Sequence, residues 1–249
     1  MAGLENKVAM ITGSGGGIGG AIAMRYAREG AKLALADIVA ETAKSCVSRI
    51  NLMGSDAFDI AADVTSKDSV QQMLRTTLER WGRIDILVNV AGGADRKPVL
   101  EMTDADWDDI VDMNLKSVFL CCQAVLPTML KQKYVKIVSI SSIYGFTGNA
   151  TRSSYAAAKA GVAVFTKSLA LEVAKDGINV NAIAPGRVST PRVRGHYSDE
   201  QWAEAMSRIP AGRAGTPDEV ASTALFLVLD ENGYITGQTI HVNGAWLNY

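Results

Sequence analysis

Apolar runs of strand length alternate with amphipathic stretches along almost the entire chain. Val8–Thr12, Lys32–Asp37, Ala57–Ala61, Ile84–Val90, Val135–Ser139, Asn179–Ile183 and Thr239–Val242 read as strands. The first, fourth and fifth are nearly continuous hydrophobics, the pattern of parallel strands covered on both faces. Between the strands, Gly19–Glu29, Ala40–Met53, Ser66–Trp81, Trp107–Leu130, Ser153–Lys175 and Pro217–Leu229 carry helical periodicity. Thr65-Ser66 and Thr216-Pro217 supply capping hydroxyls, the second followed by proline at the first helical position. Gly30, Gly54, Gly82 and Gly177 stand just beyond helix ends, where a left-handed residue is wanted. The alternation predicts a three-layer α/β, Rossmann-type doubly wound fold, with about seven parallel strands and helices on both faces.

No repeat, low-complexity tract or linker interrupts this rhythm, so one domain over 1–249 is expected. The exception is Arg187 to Arg213, an irregular segment of roughly 27 residues between a strand and a helix. Long loops of this kind usually carry function, and this one is expected to be a lid that selects the substrate.

Composition narrows the classes. A net charge of −1 offers no electrostatic case for nucleic acid or an acidic membrane surface. The most apolar helical stretch, Ala156 to Ala174, is interrupted by Lys159, Lys167 and Glu172, which suits a core helix better than a membrane span. Met1 to Lys7 carries no apolar leader, and Cys46, Cys121 and Cys122 read as buried thiols in a reducing compartment. A cytoplasmic protein is expected. The two histidines, His196 and His241, are far apart in sequence, and no metal site is expected.

Candidate chemistry begins at Thr12-Gly-Ser-Gly-Gly-Gly-Ile-Gly19, between the first strand and first helix. Glycines there let backbone N–H groups approach a pyrophosphate at the helix N-terminus. The register is open: Gly15, Gly17 and Gly20 fit G-x-G-x-x-G, while Gly13, Gly17 and Gly19 fit a looser spacing. Asp37 ends the second strand, where a carboxylate accepts both ribose hydroxyls and repels a 2′-phosphate. Neither Ile38 nor the Gly-rich loop supplies the arginine or lysine that a 2′-phosphate needs, so NAD(H) is the expected cofactor. Tyr155 and Lys159 are four residues apart and can share a helical face. A cation beside a phenol favours the phenolate and draws its pKa towards the range of a general acid/base. A Ser-His-Asp hydrolase fails on inventory, since no G-x-S-x-G elbow exists, and no P-loop motif is present.

Together these residues resemble the short-chain dehydrogenase/reductase family over essentially the whole chain. Thr12–Gly19 matches its TGxxxGIG loop. Asn89-Val-Ala-Gly92 matches its NNAG segment, with Val90 in place of the second asparagine. Asn114, Ser142, Tyr155 and Lys159 fall at the spacing of its catalytic tetrad, Pro185-Gly186 with Thr190 matches its PG segment, and Ile235-Thr-Gly-Gln238 its C-terminal ITGQ stretch. The resemblance implies hydride transfer between NAD(H) and a small secondary alcohol or ketone. In that reading Tyr155 exchanges the proton and Ser142 holds the substrate oxygen. Lys159 binds the nicotinamide ribose and lowers the tyrosine pKa, and Asn114 completes a proton relay. It further implies that Gly13, Gly16, Gly17, Ile18 and Gly19 meet the pyrophosphate, Asp37 and Ile38 the adenosine ribose, and Asp63 and Val64 the adenine. Asn89, Ala91 and Gly92 would line the nicotinamide side, with Pro185, Gly186, Val188 and Thr190 near the carboxamide.

Relatives pair the helices Trp107–Leu130 and Ser153–Lys175 across a dimer interface, so a homotetramer is expected, with the tail from Trp246 to Tyr249 in a second two-fold contact. Substrate contacts are expected from Ser142, Tyr144, Arg152 and Arg192, the arginines offering planar forks for an anionic group. The aromatic residues Tyr144, Phe146, Tyr197 and Trp202 suit an apolar substrate equally well. A catalytically silent NAD-binding or scaffold protein on the same fold is the alternative.

Overall fold

The computed structural model describes residues 3–132 and 135–247. Seven parallel strands form one sheet in the order β3-β2-β1-β4-β5-β6-β7. They are β1 (Val8–Thr12), β2 (Lys32–Asp37), β3 (Ala57–Ala61), β4 (Ile86–Asn89), β5 (Val135–Ile140), β6 (Ile178–Pro185) and β7 (Thr239–Val242). Every residue of β1, β4, β5 and β6 is buried, as required of strands covered on both faces. Strand order reverses between β1 and β4, which opens a crevice at their carboxyl ends.

Helices α1 (Gly17–Arg28), α2 (Ala40–Asn51) and α10 (Pro217–Val228) cover one face. There Ile22, Tyr26, Ile50 and Val220 pack on Ile11, Leu33, Leu35 and Val88. Helices α3 (Lys67–Trp81), α5 (Ser117–Gln132) and α7 (Ser153–Val173) cover the other with Met73, Val125, Val162 and Leu169. Ser66 caps α3, Thr216 caps α10 through a capping box with Glu219, and Pro217 follows at the first turn. Gly30, Gly54, Gly82 and Gly177 all have positive φ.

Two stretches differ from the periodicity. The region expected to be one helix from Trp107 is α4 (Asp104–Val111), a π turn at Asp112–Lys116, and α5. Its start lies earlier because Thr103 and Asp106 form a capping box. The segment 187–213 is not irregular: it holds α8 (Pro191–Arg194) and α9 (Asp199–Ser207), capped by Thr190 and by a Ser198/Gln201 box. A further short turn, α6 (Tyr144–Thr147), precedes the catalytic helix.

Asp104–Gln132 is long and apolar enough to cross a membrane by length and composition, yet 50% of its most apolar window is buried inside the protein. Its exposed apolar side chains are Trp107, Met113, Phe119 and Leu130, and α7 exposes Val164 and Leu171; Phe119 meets Phe165 of α7 edge-on at 6.3 Å. The tail positions Asn248 and Tyr249 lie outside the described residues.

Candidate active site

The Gly-rich loop resolves its own register. Gly13 (φ 63°) and Gly17 (φ 53°) adopt the left-handed region, and a Cβ on Gly19 would sit 2.1 Å from the Gly13 carbonyl oxygen. Gly20 has only ordinary contact at 3.5 Å. Gly15 is also tight, since a Cβ there would lie 2.1 Å from Thr42 Oγ1 and 2.8 Å from Asp37 Oδ2; Gly13, Gly15, Gly17 and Gly19 therefore demand glycine, and Gly20 does not. Helix α1 has no side-chain cap and no acidic residue in its first turn, so its leading N–H groups are left for an outside acceptor. Beyond Gly16 a Cβ would meet nothing within 4 Å. This open, donor-rich turn fits a dinucleotide pyrophosphate.

Asp37 lies against that loop. Its carboxylate accepts from Gly15 N (2.9 Å) and Val39 N (3.0 Å), which fixes it at the end of β2 beside the exposed Ile38. Asp63 holds its own turn, accepting from Thr65 N and Oγ1 at 2.9 and 2.7 Å, while Val64 is buried in the core. After β4, Thr12 Oγ1 accepts from Val90 N and Ala91 N at 3.2 and 3.3 Å. Val90 itself packs on the core, so the backbone there is satisfied despite the missing asparagine. Asn89 donates to Ser139 Oγ at 3.1 Å. Gly186 N donates to the Val242 carbonyl at 2.9 Å. Val188 is buried and Thr190 lies 3.2 Å from where a Gly17 side chain would begin. The loop after β6 thus meets the Gly-rich turn across the crevice.

Asn114 sits fully buried in the π turn. Its Nδ2 donates to the Gly93 and Ile110 carbonyls at 2.8 and 2.9 Å, and its Oδ1 accepts from Gly93 N at 3.3 Å. Gly92 is held so close that a Cβ would lie 2.7 Å from Asn114 Oδ1 and 3.4 Å from Lys159 Nζ. The π turn therefore pins the loop after β4 against Lys159. Such turns inside helices are frequent at functional sites.

The three serines at the end of β5 separate by their partners. Ser139 accepts from Asn89, Ser141 donates to the Lys159 carbonyl at 2.8 Å, and Ser142 Oγ accepts from Tyr144 N at 3.2 Å and favours ionisation of Tyr155. Only Ser142 of the three lines the cleft with Tyr155. One expectation is corrected here. Burial pushes the Tyr155 phenol above its ordinary pKa, and the groups that oppose this are Ser142, Arg152 and Arg192 rather than Lys159. The Lys159 ammonium lies 5.7 Å from the phenol ring centroid and donates to the Ile140 carbonyl at 2.8 Å. Burial draws its own pKa down to about 8.

The cleft above Tyr155 has a volume of about 450 Å³, within the range of small-molecule sites. Ser142, Tyr144 and Arg152 line it as expected. Arg192 does not: it stands over the loop after β4, with Nη1 3.4 Å from the Gly92 carbonyl. Asp95 and Arg96, which sequence reasoning missed, line the cleft, as do Arg187, His196 and Tyr197 from the segment 187–213. Asp95 and Arg96 follow directly on the Asn89–Gly92 segment, at the carboxyl end of a central strand, and that position was the available signal.

Comparison with known proteins agrees with this geometry. The family described as enoyl-(acyl carrier protein) reductase matches residues 13–246. The (2S)-[(R)-hydroxy(phenyl)methyl]succinyl-CoA dehydrogenase subunit BbsD of Thauera aromatica is 40% identical over 243 residues, covering 98% of this chain and 97% of that protein. The 3-oxoacyl-[acyl-carrier-protein] reductase FabG of Thermotoga maritima is 41% identical over 242 residues, covering 97% and 98%. The crystal structure of gox2181 superposes with a TM-score of 0.94 at 38% identity, covering 98% of this chain and 96% of that one. Fold and site define a nicotinamide-dependent oxidoreductase acting on CH–OH or C=O groups. The chain belongs to the short-chain dehydrogenase/reductase family.

Proposed function

We propose that this protein is an NAD(H)-dependent dehydrogenase/reductase of a small secondary alcohol or its ketone, working as a single catalytic domain with 187–213 as its lid. The observation that carries this reading is that Ser142 and Tyr155 line one cleft, with Lys159 and Asn114 buried around Gly92, beside an uncapped, glycine-lined helix start. Gly13, Gly16, Gly17, Ile18 and Gly19 would hold the pyrophosphate, Asp37 and Ile38 the adenosine ribose, and Asp63 with Val64 the adenine side. Asn89, Ala91, Gly92, Pro185, Gly186, Val188 and Thr190 would enclose the nicotinamide end, and Lys159 its ribose. When bound, the nicotinamide supplies or accepts the hydride.

The chain's own residues manage the proton. Ser142 and Tyr155 hold the substrate oxygen between them, Ser142 as hydrogen-bond donor and Tyr155 as acid or base. In alcohol oxidation the phenolate takes the hydroxyl proton; in ketone reduction the phenol returns it to the oxygen. Burial holds the phenol protonated at neutral pH, a state suited to donation, and Arg152 and Arg192 ease its ionisation. Lys159 and the π-turn backbone at Asn114 continue the proton path away from the cleft.

The preference for NAD(H) rests on Asp37, whose carboxylate would stand against a 2′-phosphate. NAD+ and NADP+ reduction should be compared with a panel of secondary alcohols, on wild type and on the Asp37→Ser/Ile38→Arg double variant. NAD+ preference in wild type and a shift towards NADP+ in the variant support the reading; an NADP+ preference in wild type overturns it. Absence of turnover with either cofactor across the panel would favour the catalytically silent alternative. The buried thiols Cys46, Cys121 and Cys122 support a cytoplasmic setting.

A further inference from the structure

Resting on the dehydrogenase reading above, we infer that the substrate carries an anionic group, a carboxylate, sulfonate or phosphate, held by Arg187, Arg96 and Arg152 above Tyr155. These three arginines line the same cleft as Tyr155 and Ser142. Six other arginines pair with carboxylates: Arg25 with Glu29, Arg80 with Asp56, Arg83 with Asp85, Arg194 with Asp199, Arg208 with Glu204 and Arg213 with Glu219. None of the described ion pairs includes Arg96, Arg152 or Arg187. Asp95 does not neutralise them; its carboxylate accepts from the backbone N of Arg96 at 2.7 Å.

Aromatic rings hold the three guanidinium groups instead. Arg187 lies 4.8 Å from the Tyr197 ring centroid and 5.5 Å from that of Trp246, and Arg152 lies 5.7 Å from Tyr144. Arg96 lies 5.9 Å from the Tyr197 ring and donates from Nη2 to its hydroxyl at 3.0 Å. Stacking occupies the faces of a guanidinium and leaves its edge N–H groups for an acceptor. At Arg187 those donors are stranded: Nε and Nη1 are both buried without a hydrogen-bond partner among the described residues. Buried N–H groups of a charged side chain are costly to leave unmade, and an anion in the cleft would satisfy them. Burial works against ionisation of Tyr197, but the charge of Arg187, with the charge and hydrogen bond of Arg96, holds its phenol below its ordinary pKa, a sign of local positive potential.

The backbone supports the placement of Arg152. Thr151, immediately before it, sits at φ 65°, an unfavourable region for a β-branched residue. Its carbonyl accepts from Lys97 N at 2.8 Å, which ties the start of the catalytic helix to the loop that carries Arg96. The segments that carry Arg96 and Arg152 are thereby tied together, and Arg96 meets Arg187 on the Tyr197 ring.

The test uses the whole protein with two readouts. In the first, kcat/KM is measured for matched acid and amide pairs, 3-hydroxybutanoate against 3-hydroxybutanamide and 4-hydroxypentanoate against 4-hydroxypentanamide. A 2-hydroxyalkyl sulfonate and a 2-hydroxyalkyl phosphate of similar length distinguish among the anionic groups. The expected result is an acid-over-amide ratio of about tenfold or more in wild type, the size of one charge-assisted contact. That ratio should fall to about one in Arg187→Ala and in Arg96→Ala. The second readout is equilibrium titration by tryptophan fluorescence, since Trp246 stacks on Arg187, using the unreactive anions butanoate, propane-1-sulfonate and propyl phosphate. Wild type should show saturable quenching that Arg187→Ala loses and Arg187→Lys retains in part. Amides matching acids in wild type, or an unchanged ratio in Arg187→Ala, overturns the inference. Saturable anion binding without turnover of any alcohol would leave the clamp standing and remove the dehydrogenase reading instead.

Discussion

Lys159 carries its ammonium inside the protein, with the Ile140 carbonyl as its hydrogen-bond acceptor, and burial draws its pKa from 10.5 to about 8. Such placement is costly to stability and is explained by chemistry rather than by packing. Between pH 8 and 10.5 the unfolded chain binds this proton and the folded chain does not, so this group's contribution to stability rises with pH across that window. Lys159→Met removes the charge, worth about 3 kcal/mol on this scale, and loses one hydrogen bond worth about 1 kcal/mol. The variant should be inactive yet more stable than wild type at pH 7, with the advantage shrinking towards pH 10. Urea denaturation at pH 7, 8.5 and 10 checks this; an advantage that does not shrink with pH refutes it. For Tyr155→Phe the expected loss of turnover is about a thousandfold with NADH affinity retained, measured by fluorescence titration. The raised phenol pKa has a kinetic consequence too. Alcohol oxidation, which needs the phenolate, should climb with pH in the alkaline range, and ketone reduction should fall there. Arg152→Ala, which removes a charge that favours the phenolate, should move both limbs to higher pH. Limbs that stay where they are would deny Arg152 any field at the phenol.

At the scale of elements, the π turn decides the geometry. An inserted residue shifts the helical phase between α4 and α5 and turns Asn114 onto the loop after β4. Asn114→Ala removes three hydrogen bonds at a fully buried position, and should cost about 2–3 kcal/mol. It should also raise the NADH dissociation constant, because Gly92 and Gly93 lose their anchor. A denaturation midpoint and a cofactor titration read the two effects. Strands β1, β2, β3 and β7 were legible to the residue, since apolar runs bounded by charge or glycine leave little freedom. The π turn was not, because one extra residue is invisible to a 3.6-residue period. Helices α8 and α9 were missed for another reason. They are too short to display periodicity, although Thr190-Pro191 and the Ser198/Gln201 box were readable start signals. Within the candidate site, motif spacing named Asn114, Ser142, Tyr155 and Lys159, but the direction of each charge was beyond it. Lys159 turning to Ile140, and Arg96 joining Arg187 on Tyr197, depend on contacts between residues far apart in sequence.

At the scale of the whole molecule, two neighbouring helical stretches expose apolar side chains that the described residues leave uncovered. Trp107, Met113, Phe119 and Leu130 on α4 through α5 and Val164 and Leu171 on α7 are all exposed, and Phe119 meets Phe165 of α7. Leu171 is 86% exposed and Val164 60%, values hard to reconcile with a surface left in water when they form part of one patch. Both helices run along the same side of the sheet, so a two-fold axis across them would bring four helices together and cover the patch with a copy of itself. We predict a homotetramer in which this face forms one of the two contacts. Sedimentation equilibrium or light scattering should give about four times the 26.5 kDa chain mass. Replacing Val164 and Leu171 with glutamate places like charges directly opposite each other at an isologous interface. The double variant should therefore dissociate to smaller species, while a monomer should hardly respond to exposed substitutions of this kind. Both positions lie on the helix that carries Tyr155 and Lys159, so dissociation should also lower turnover at low protein concentration and recover with wild-type protein as concentration rises. A wild-type mass of a single chain would refute the assembly, and an unaltered mass in the double variant would assign the contact to another face.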